Sequence, residues 1–313
     1  MSPHLVRVAV TPPPICQSSL LRNELTGLFP NTRFNEAGRY LNEDELIAFA
    51  GEAEALLVGR DAVTERVLSA LPQLKIVAKY GVGLDTVDQE ALQRHSVALG
   101  WTAGVNRRSV AELTLGFMLG LCHNVFKGGL ALKEGQWVKD GGHLLQGRTV
   151  GIVGCGNIGK EVVHLLKPFD CTVWIRDILE MSGFCRETGA IEKSFEELLA
   201  GADIISLHVP LTTETRNLID AGALGRMKKD AFLINTSRGE VVDPQALKQA
   251  LLDGSIAGAA LDVFAQEPPD DMELLRCPNL MVTPHIGGNA VEAVEAMARS
   301  AFQHLKDFLE TGT

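Results

Sequence analysis

The chain has no excess of positive charge: 29 Lys plus Arg stand against 39 Asp plus Glu in 313 residues, a formal net charge of −10. Without a basic stripe set against that background, a nucleic-acid-binding face is excluded. Cysteine pairs at metal or redox spacing are missing too. The six cysteines fall at positions 16, 122, 155, 171, 185 and 277 with no CxxC, which argues against a zinc site and a disulfide framework. No metal is therefore expected, and the scatter fits a reducing, cytoplasmic setting. Apolar runs long enough to span a bilayer are absent, and no membrane partner is expected. The longest, residues 113–122, has a helical pattern, and the apolar segment at 5–10 runs into Pro12, Pro13 and Pro14 rather than a targeting core. Solenoid repeats and low-complexity tracts are likewise absent.

What is present is the material of a folded α/β protein. A hydrophobic share of 46% with 22% charged residues supports a large core, and the length suits two domains. Short apolar runs alternate with amphipathic stretches, the pattern of parallel sheets covered by helices. In the first hundred residues the runs predict strands at 6–10, 55–58, 75–79 and 97–99, with helices such as 64–70 and 88–94 between them. A long helix follows, for which Ser109 and Glu112 read as a capping-box pair and Val110, Leu113, Phe117 and Leu121 as the apolar stripe. The polar, Gly-rich passage 127–148 reads as a surface connection or partner-facing arm. Strands then recur at 149–153, 172–175, 203–207, 231–235, 257–261 and 280–282, describing a second, larger α/β domain.

The first strand of that domain runs into Gly154-Cys155-Gly156-Asn157-Ile158-Gly159, and an amphipathic helix follows. In this βαβ context Gly154 permits the tight turn, Gly156 lets a pyrophosphate approach the backbone, and Gly159 lets helix and strand pack closely. The pyrophosphate would rest on the positive end of the helix. Asp177 ends the next strand, 18 residues beyond Gly159, where a carboxylate accepts hydrogen bonds from an adenosine ribose. That favours NAD; Arg176 beside it keeps NADP open.

Three later motifs fall just after predicted strands: Asn235-Thr236-Ser237-Arg238-Gly239-Glu240, Leu261-Asp262-Val263-Phe264 with Gln266-Glu267-Pro268, and Thr283-Pro284-His285-Ile286-Gly287-Gly288. They supply a fixed cation, a carboxylate and an imidazole at the edge where open α/β sheets bind ligands. Arg238 suits a planar fork on a substrate carboxylate and carbonyl oxygen. His285 is the proton donor to an oxygen that gains charge on hydride transfer, and Glu267 would hold its other ring nitrogen and fix its tautomer.

With these residues in view, and with the loop Lys79-Tyr80-Gly81-Val82-Gly83-Leu84-Asp85, the sequence resembles the D-isomer-specific 2-hydroxyacid dehydrogenases, and within them the phosphoglycerate dehydrogenase branch. The resemblance spans nearly the whole chain. It implies that Arg238, Glu267 and His285 are the catalytic residues, and that the backbone of Val82 and Gly83, with Asn106, Arg238 and His285, binds the substrate. It also implies that Asn157, Ile158, Asp177, Pro210, Thr212, Thr236, Asp262 and Gly287 line the dinucleotide, with His208 near it in either a cofactor or a structural role.

The implied fold is two doubly wound parallel-sheet domains. A Rossmann NAD-binding domain at 102–286 is inserted into a flavodoxin-like substrate domain at 1–101, which a helix near 291–309 within 287–313 completes. The implied active site lies in the cleft between the two. The long helix and the 127–148 arm resemble the family's dimer interface, so a homodimer is expected. The implied substrate is a small 2-hydroxy or 2-oxo acid resembling 3-phosphoglycerate. Departures around Arg60, Lys79, Tyr80, Arg107 and Arg108, and a chain end at Thr313 that suggests no regulatory domain, keep hydroxypyruvate, glyoxylate and sulfonated oxoacids open. A second class, an NAD(H)-sensing binding protein like the corepressors that share this fold, keeps the same triad. The short chain and the lack of disordered tails count against it.

Overall fold

The computed structural model describes residues 6–311; Leu5, the first residue of the N-terminal apolar segment, lies outside them, as do residues 312 and 313 of the expected closing segment. The chain divides into two compact units, one formed by Met1–Asn106 with Asn289–Thr313 and the other by Arg107–Gly288.

In the first unit, β1 (Val8–Val10), β2 (Thr32–Phe34), β3 (Ala55–Val58), β4 (Ile76–Lys79) and β5 (Ala98–Gly100) form a parallel sheet in the order β2-β1-β3-β4-β5. This is the flavodoxin-like order, whose switch point lies between β1 and β3. Strands β1, β3 and β4 are buried at every position, as expected of a sheet covered on both faces. Alternation sends Ala55 and Leu57 to one face and Leu56 and Val58 to the other. On the first face the helix Val291–Thr311 buries Met297, Ala298, Ala301, Phe302 and Leu305 against Val8, Val10 and Ile76. It runs so near β5 that a side chain at Gly100 would stand 2.5 Å from His304 Cβ. Thr64 and Asp88 cap the helices Glu65–Ala70 and Gln89–Arg94, each accepting a backbone N–H with its side chain.

In the second unit, β6 (Thr149–Val153), β7 (Thr172–Arg176), β8 (Ile191–Glu192), β9 (Ile204–Leu207), β10 (Phe232–Asn235), β11 (Gly258–Leu261) and β12 (Leu280–Val282) are all parallel. Their order, β12-β11-β10-β9-β6-β7-β8, reverses direction between β6 and β9, as in dinucleotide-binding sheets. The helix Asn157–Leu166 buries Gly159, Val162, Val163 and Leu166. The helix Arg107–Cys122 buries Val110, Ala111, Thr114, Phe117, Met118 and Leu121 along one stripe.

Three local readings change. The long helix starts at Arg107, so Ser109 is inside its first turn; its hydroxyl donates to the Gly287 carbonyl at 2.5 Å, and Glu112 pairs with Arg108, so there is no capping box. Strands β2 and β8 carry no sequence signal because they are short edge strands: β2 is partly exposed and both β8 residues are exposed. The passage expected to be a connection contains a helix, Val125–Lys133, with no buried residue, and the chain from there to 148 leaves Trp137 and Leu144 exposed beside Val125, Leu130 and Leu132. Among the described residues no single helix is long and apolar enough to cross a bilayer.

Leu57 is fully buried at the centre of the first sheet. Leu57→Ala is expected to lower unfolding free energy by about 2–5 kcal/mol, read from urea midpoints and slopes. A loss below about 1 kcal/mol would mean the site collapses around the gap or is less tightly packed than described.

Candidate active site

The carboxyl end of β6 meets the helix Asn157–Leu166 through a turn that tolerates no side chain at two points. Gly154 has φ +89, and a Cβ there would stand 2.7 Å from the backbone of His208. A Cβ on Gly159 would strike the Gly154 carbonyl oxygen. Gly156, the N-cap, has open space in front of it, so its backbone is approachable. Cys155 between them is buried, and burial pushes its thiol up to about 12, so it stays protonated and unreactive. Asp177 turns back on this loop: Oδ2 accepts the Cys155 N–H at 2.6 Å and Oδ1 the Leu179 N–H at 2.9 Å. The Arg176 guanidinium donates to the Asp177 carbonyl.

After β9, His208 has its Nε2 2.9 Å from Ser206 Oγ, while Nδ1 is buried with no hydrogen-bond partner among the described residues. Burial pushes its pKa down to about 3, so the ring is neutral at physiological pH. Pro210 and Thr212 form an exposed turn in which Thr215 Oγ1 donates to the Pro210 carbonyl at 2.6 Å. Approachable backbone at a helix N-terminus, a carboxylate at the end of the second strand and an unpartnered buried nitrogen make a site that fits a dinucleotide.

The ends of β10, β11 and β12 carry the other groups. Asp262, 1% exposed, accepts from Thr283 Oγ1 at 2.6 Å and from the N–H groups of Ile286 and Gly287 at 2.8 Å each; its carbonyl accepts the His285 N–H at 2.8 Å. This clamp holds His285 at φ +54, a left-handed conformation uncommon for any residue but glycine. A Cβ on Gly287 would stand 2.8 Å from Asp262 Oδ2, so the turn closes tightly. His285 Nδ1 then meets both Glu267 oxygens, at 3.0 and 2.9 Å. Glu267 Oε1 also accepts the Phe264 N–H at 3.1 Å, which fixes the carboxylate. Arg238, half-buried, donates from Nη1 to the Ser237 carbonyl at 2.8 Å. A cation, a carboxylate and a carboxylate-held imidazole together can grip an oxoacid and exchange a proton with its oxygen.

Two expected dinucleotide contacts have their side chains engaged within the protein. The Thr236 hydroxyl lies 3.1 Å from that of Thr114, and the Asp262 carboxylate carries the clamp just described. Asn157 and Ile158 open the helix after the glycine turn.

The first unit holds Val82, Gly83 and Asn106. Gly81 has φ +99, the Val82 carbonyl accepts from Trp101 Nε1 at 3.1 Å, and Asn106 Oδ1 is buried with no partner among the described residues. Lys79 is buried and donates to the carbonyls of Gly59 and Tyr80. Tyr40, which no sequence signal marked, fills the space a side chain at Gly59 would need, with its ring 2.5 Å from the ideal Cβ. The Arg60 guanidinium lies 5.8 Å from the centre of that ring. Arg107 and Arg108, in the second unit, both pair with Glu161, at 3.5 and 3.1 Å. Asn235 was legible as part of a motif but not as a site residue; its position directly before Thr236-Ser237-Arg238 was the available signal. Among the described residues no group of three or more His, Cys, Asp or Glu is arranged to hold a metal.

Comparison with known proteins is consistent across sequence and structure. Residues 115–287 match the family model described as D-isomer specific 2-hydroxyacid dehydrogenase, NAD binding domain. A glyoxylate reductase of Thermofilum pendens is 38% identical over 275 residues, covering 84% of this chain and 80% of the relative. A D-3-phosphoglycerate dehydrogenase of Bacillus subtilis is 36% identical over 269 residues, covering 85% of this chain; the match spans 50% of that longer relative. The crystal structure of D-lactate dehydrogenase from Aquifex aeolicus, complexed with NAD and lactic acid, superposes with a TM-score of 0.84 at 28% identity, covering 97% of this chain and 96% of that one.

Two outcomes test the dinucleotide edge. Gly159→Val is expected to weaken NADH binding by about 10²-fold or more, read by fluorescence titration, because the new atoms run into backbone; binding within a few-fold of wild type would refute the close approach. His208 has a folded pKa of about 3 against the ordinary 6.5, so the unfolded chain binds the extra proton between those values. Its contribution to stability is complete above pH 6.5 and is lost as pH falls toward 3. Urea unfolding of wild type should therefore weaken from pH 7 to 5 more steeply than that of His208→Asn, by up to about 1.4 kcal/mol per pH unit. Equal slopes would show that the ring titrates normally.

Proposed function

The chain belongs to the D-isomer-specific 2-hydroxyacid dehydrogenase family, and on that premise we propose that it interconverts a small 2-hydroxy acid and its 2-oxo acid with Arg238, Glu267 and His285 as catalytic residues. The observation that carries the assignment is the His285–Glu267 contact at 2.9 Å, which commits Nδ1 to the carboxylate and leaves Nε2 for a substrate oxygen. NAD, when bound, supplies the carbon that gives hydride to C2 of the acid or takes it away.

Every other part of the work falls to the protein. The glycine turn with Asn157 and Ile158 would hold the pyrophosphate, Asp177 the adenosine ribose, and Pro210, Thr212, Thr236, Asp262 and Gly287 the remaining length. Arg238 would bind the carboxylate and C2 oxygen of the acid as a planar fork. In reduction His285 gives a proton from Nε2 to the C2 oxygen; in oxidation the neutral ring takes it back. Glu267 keeps the Nδ1 proton in place and balances the imidazolium. The first unit would act as the substrate domain, with the backbone of Val82 and Gly83 on the carboxylate and Asn106 near the substrate.

For the substrate, a 3-phosphoglycerate-like acid is the first reading, with Arg60 its distal cation. One observation favours the second reading, glyoxylate or hydroxypyruvate: Arg107 and Arg108 both pair with Glu161, which offsets the charge of two of the three arginines that a phosphate would call on. The exposed apolar residues of the 125–144 segment support a homodimer. The six scattered free cysteines support a cytoplasmic setting.

The decisive measurement follows NADH absorbance with a panel of 2-oxoacids that includes phosphorylated and sulfonated members, repeated with NADPH. Turnover with at least one oxoacid and a preference for NADH are expected, and His285→Gln should lower kcat by about 10²–10⁴-fold while NADH still binds. Tight NADH binding without turnover on any oxoacid would favour the corepressor-like class, and full activity in His285→Gln would remove the imidazole from the mechanism.

A further inference from the structure

We propose that Asn235 is the positioning residue for Arg238, fixing the guanidinium for the substrate without touching it; the proposal rests on the role given to Arg238 above. Arg238 lies three residues past the end of β10, on extended backbone at φ −138 and ψ 141, with a long side chain that nothing in the strand itself aims. Asn235, the last residue of β10, is fully buried, so it acts on a ligand only through its neighbours.

Its amide spans the next three residues. Oδ1 accepts the Ser237 backbone N–H at 3.0 Å and the Ser237 hydroxyl at 2.8 Å, and Nδ2 donates to the Arg238 carbonyl at 2.8 Å. Both lone pairs of the oxygen and one of the two N–H donors are thereby used on the loop that carries Arg238. The anchor is itself tied to the sheet: Asn235 pairs with Leu261 on the neighbouring strand, and its carbonyl accepts the Asp262 N–H at 3.0 Å. On the far side of the loop, Gly239 is pressed so closely on Phe264 and Ala265 that a side chain there would overlap their backbone. The Arg238 backbone is thus held between an amide clamp and the segment that fixes Glu267. Without the clamp, the Ser237 donors and the Arg238 carbonyl lose buried partners, and the loop must shift to find others.

A displacement on the order of 1 Å in a substrate-positioning group costs about 10²-fold in rate. The test is a double-mutant cycle of Asn235→Ala and Arg238→Ala with the best oxoacid of the wild type. Asn235→Ala should raise KM and lower kcat, for a loss of about 10²-fold in kcat/KM, while the NADH Kd stays within about twofold. In the Arg238→Ala background the same substitution should have no further effect beyond about twofold. Asn235→Asp keeps the acceptor contacts but sets an oxygen against the Arg238 carbonyl in place of the donor, so it should lose at least as much as Asn235→Ala; it also carries the cycle should Asn235→Ala fail to fold. An equal loss in the Arg238→Ala background, or an NADH Kd that rises in step with KM, overturns the proposal. An independent readout separates this from the functional reading: the Arg238 Nε–H resonance, assigned by Arg238→Lys, should be sharp in wild type and broadened in both Asn235 variants whether or not any oxoacid is turned over. An unchanged resonance also overturns it.

Discussion

Parallel pairing is the constraint on which the second unit depends. Because β6, β9, β10, β11 and β12 all run the same way, their carboxyl ends share one edge, and the loops that leave them lie side by side. Gly154, His208, Asn235, Asp262 and Thr283 each stand just past or at such an end, although well over a hundred residues separate the first from the last. Helices must carry the chain back across the sheet after every strand, so loops at the opposite edge serve only as returns. The reversal of strand order between β6 and β9 makes the switch point at which open α/β sheets bind ligands.

Along that edge, polar side chains divide by whether their bonding atoms are already used. Asp262, Asn235 and Thr236 are buried, and each bonds within the protein, as buried polar groups must. They shape turns. Glu267 and His285 are partly open, at 16% and 31% side-chain exposure; the carboxylate is spent on the ring and on the Phe264 N–H, and Nε2 of the ring takes no part in these bonds. The left-handed conformation of His285 shows the two groups working together. A residue other than glycine holds such a conformation only where its surroundings determine it, and three donors on the Asp262 carboxylate with a fourth bond to its carbonyl supply that determination.

Much of this was legible in the sequence, for physical reasons particular to each element. Strands β3, β4, β6, β9, β10 and β11 are buried on both faces and read as largely apolar runs, and the glycine turn announces itself because its strand and helix flank it. Edge strands β2 and β8 lack that burial and give no such run. The Ser109–Glu112 pair has the spacing of a capping box, yet Ser109 bonds the Gly287 carbonyl 178 residues away, a partner that sequence distance hides, and Glu112 pairs with Arg108 one turn back. Motif matching named Asp262 and Thr236 but not the inward direction of their side chains, since a motif carries no contacts. Tyr40 was invisible because its place over Gly59 depends on a loop returning to the sheet.

The glycines settle which parts of the molecule tolerate change. A side chain at Gly154, Gly159 or Gly239 would meet backbone, and one at Gly287 would meet the Asp262 carboxylate, so none of these contacts yields by turning a flexible side chain. The dinucleotide edge and the Arg238 and His285 turns are therefore set by close backbone approach, and a substitution there moves the turns themselves. In the first unit the neighbours are of another kind. Gly59 faces the Tyr40 ring, and the Arg60 guanidinium lies 5.8 Å from the centre of that ring, so the close approach there is to a side chain. The two units thus differ in what a substitution disturbs: backbone at the turns of the second, a side chain at Gly59 in the first.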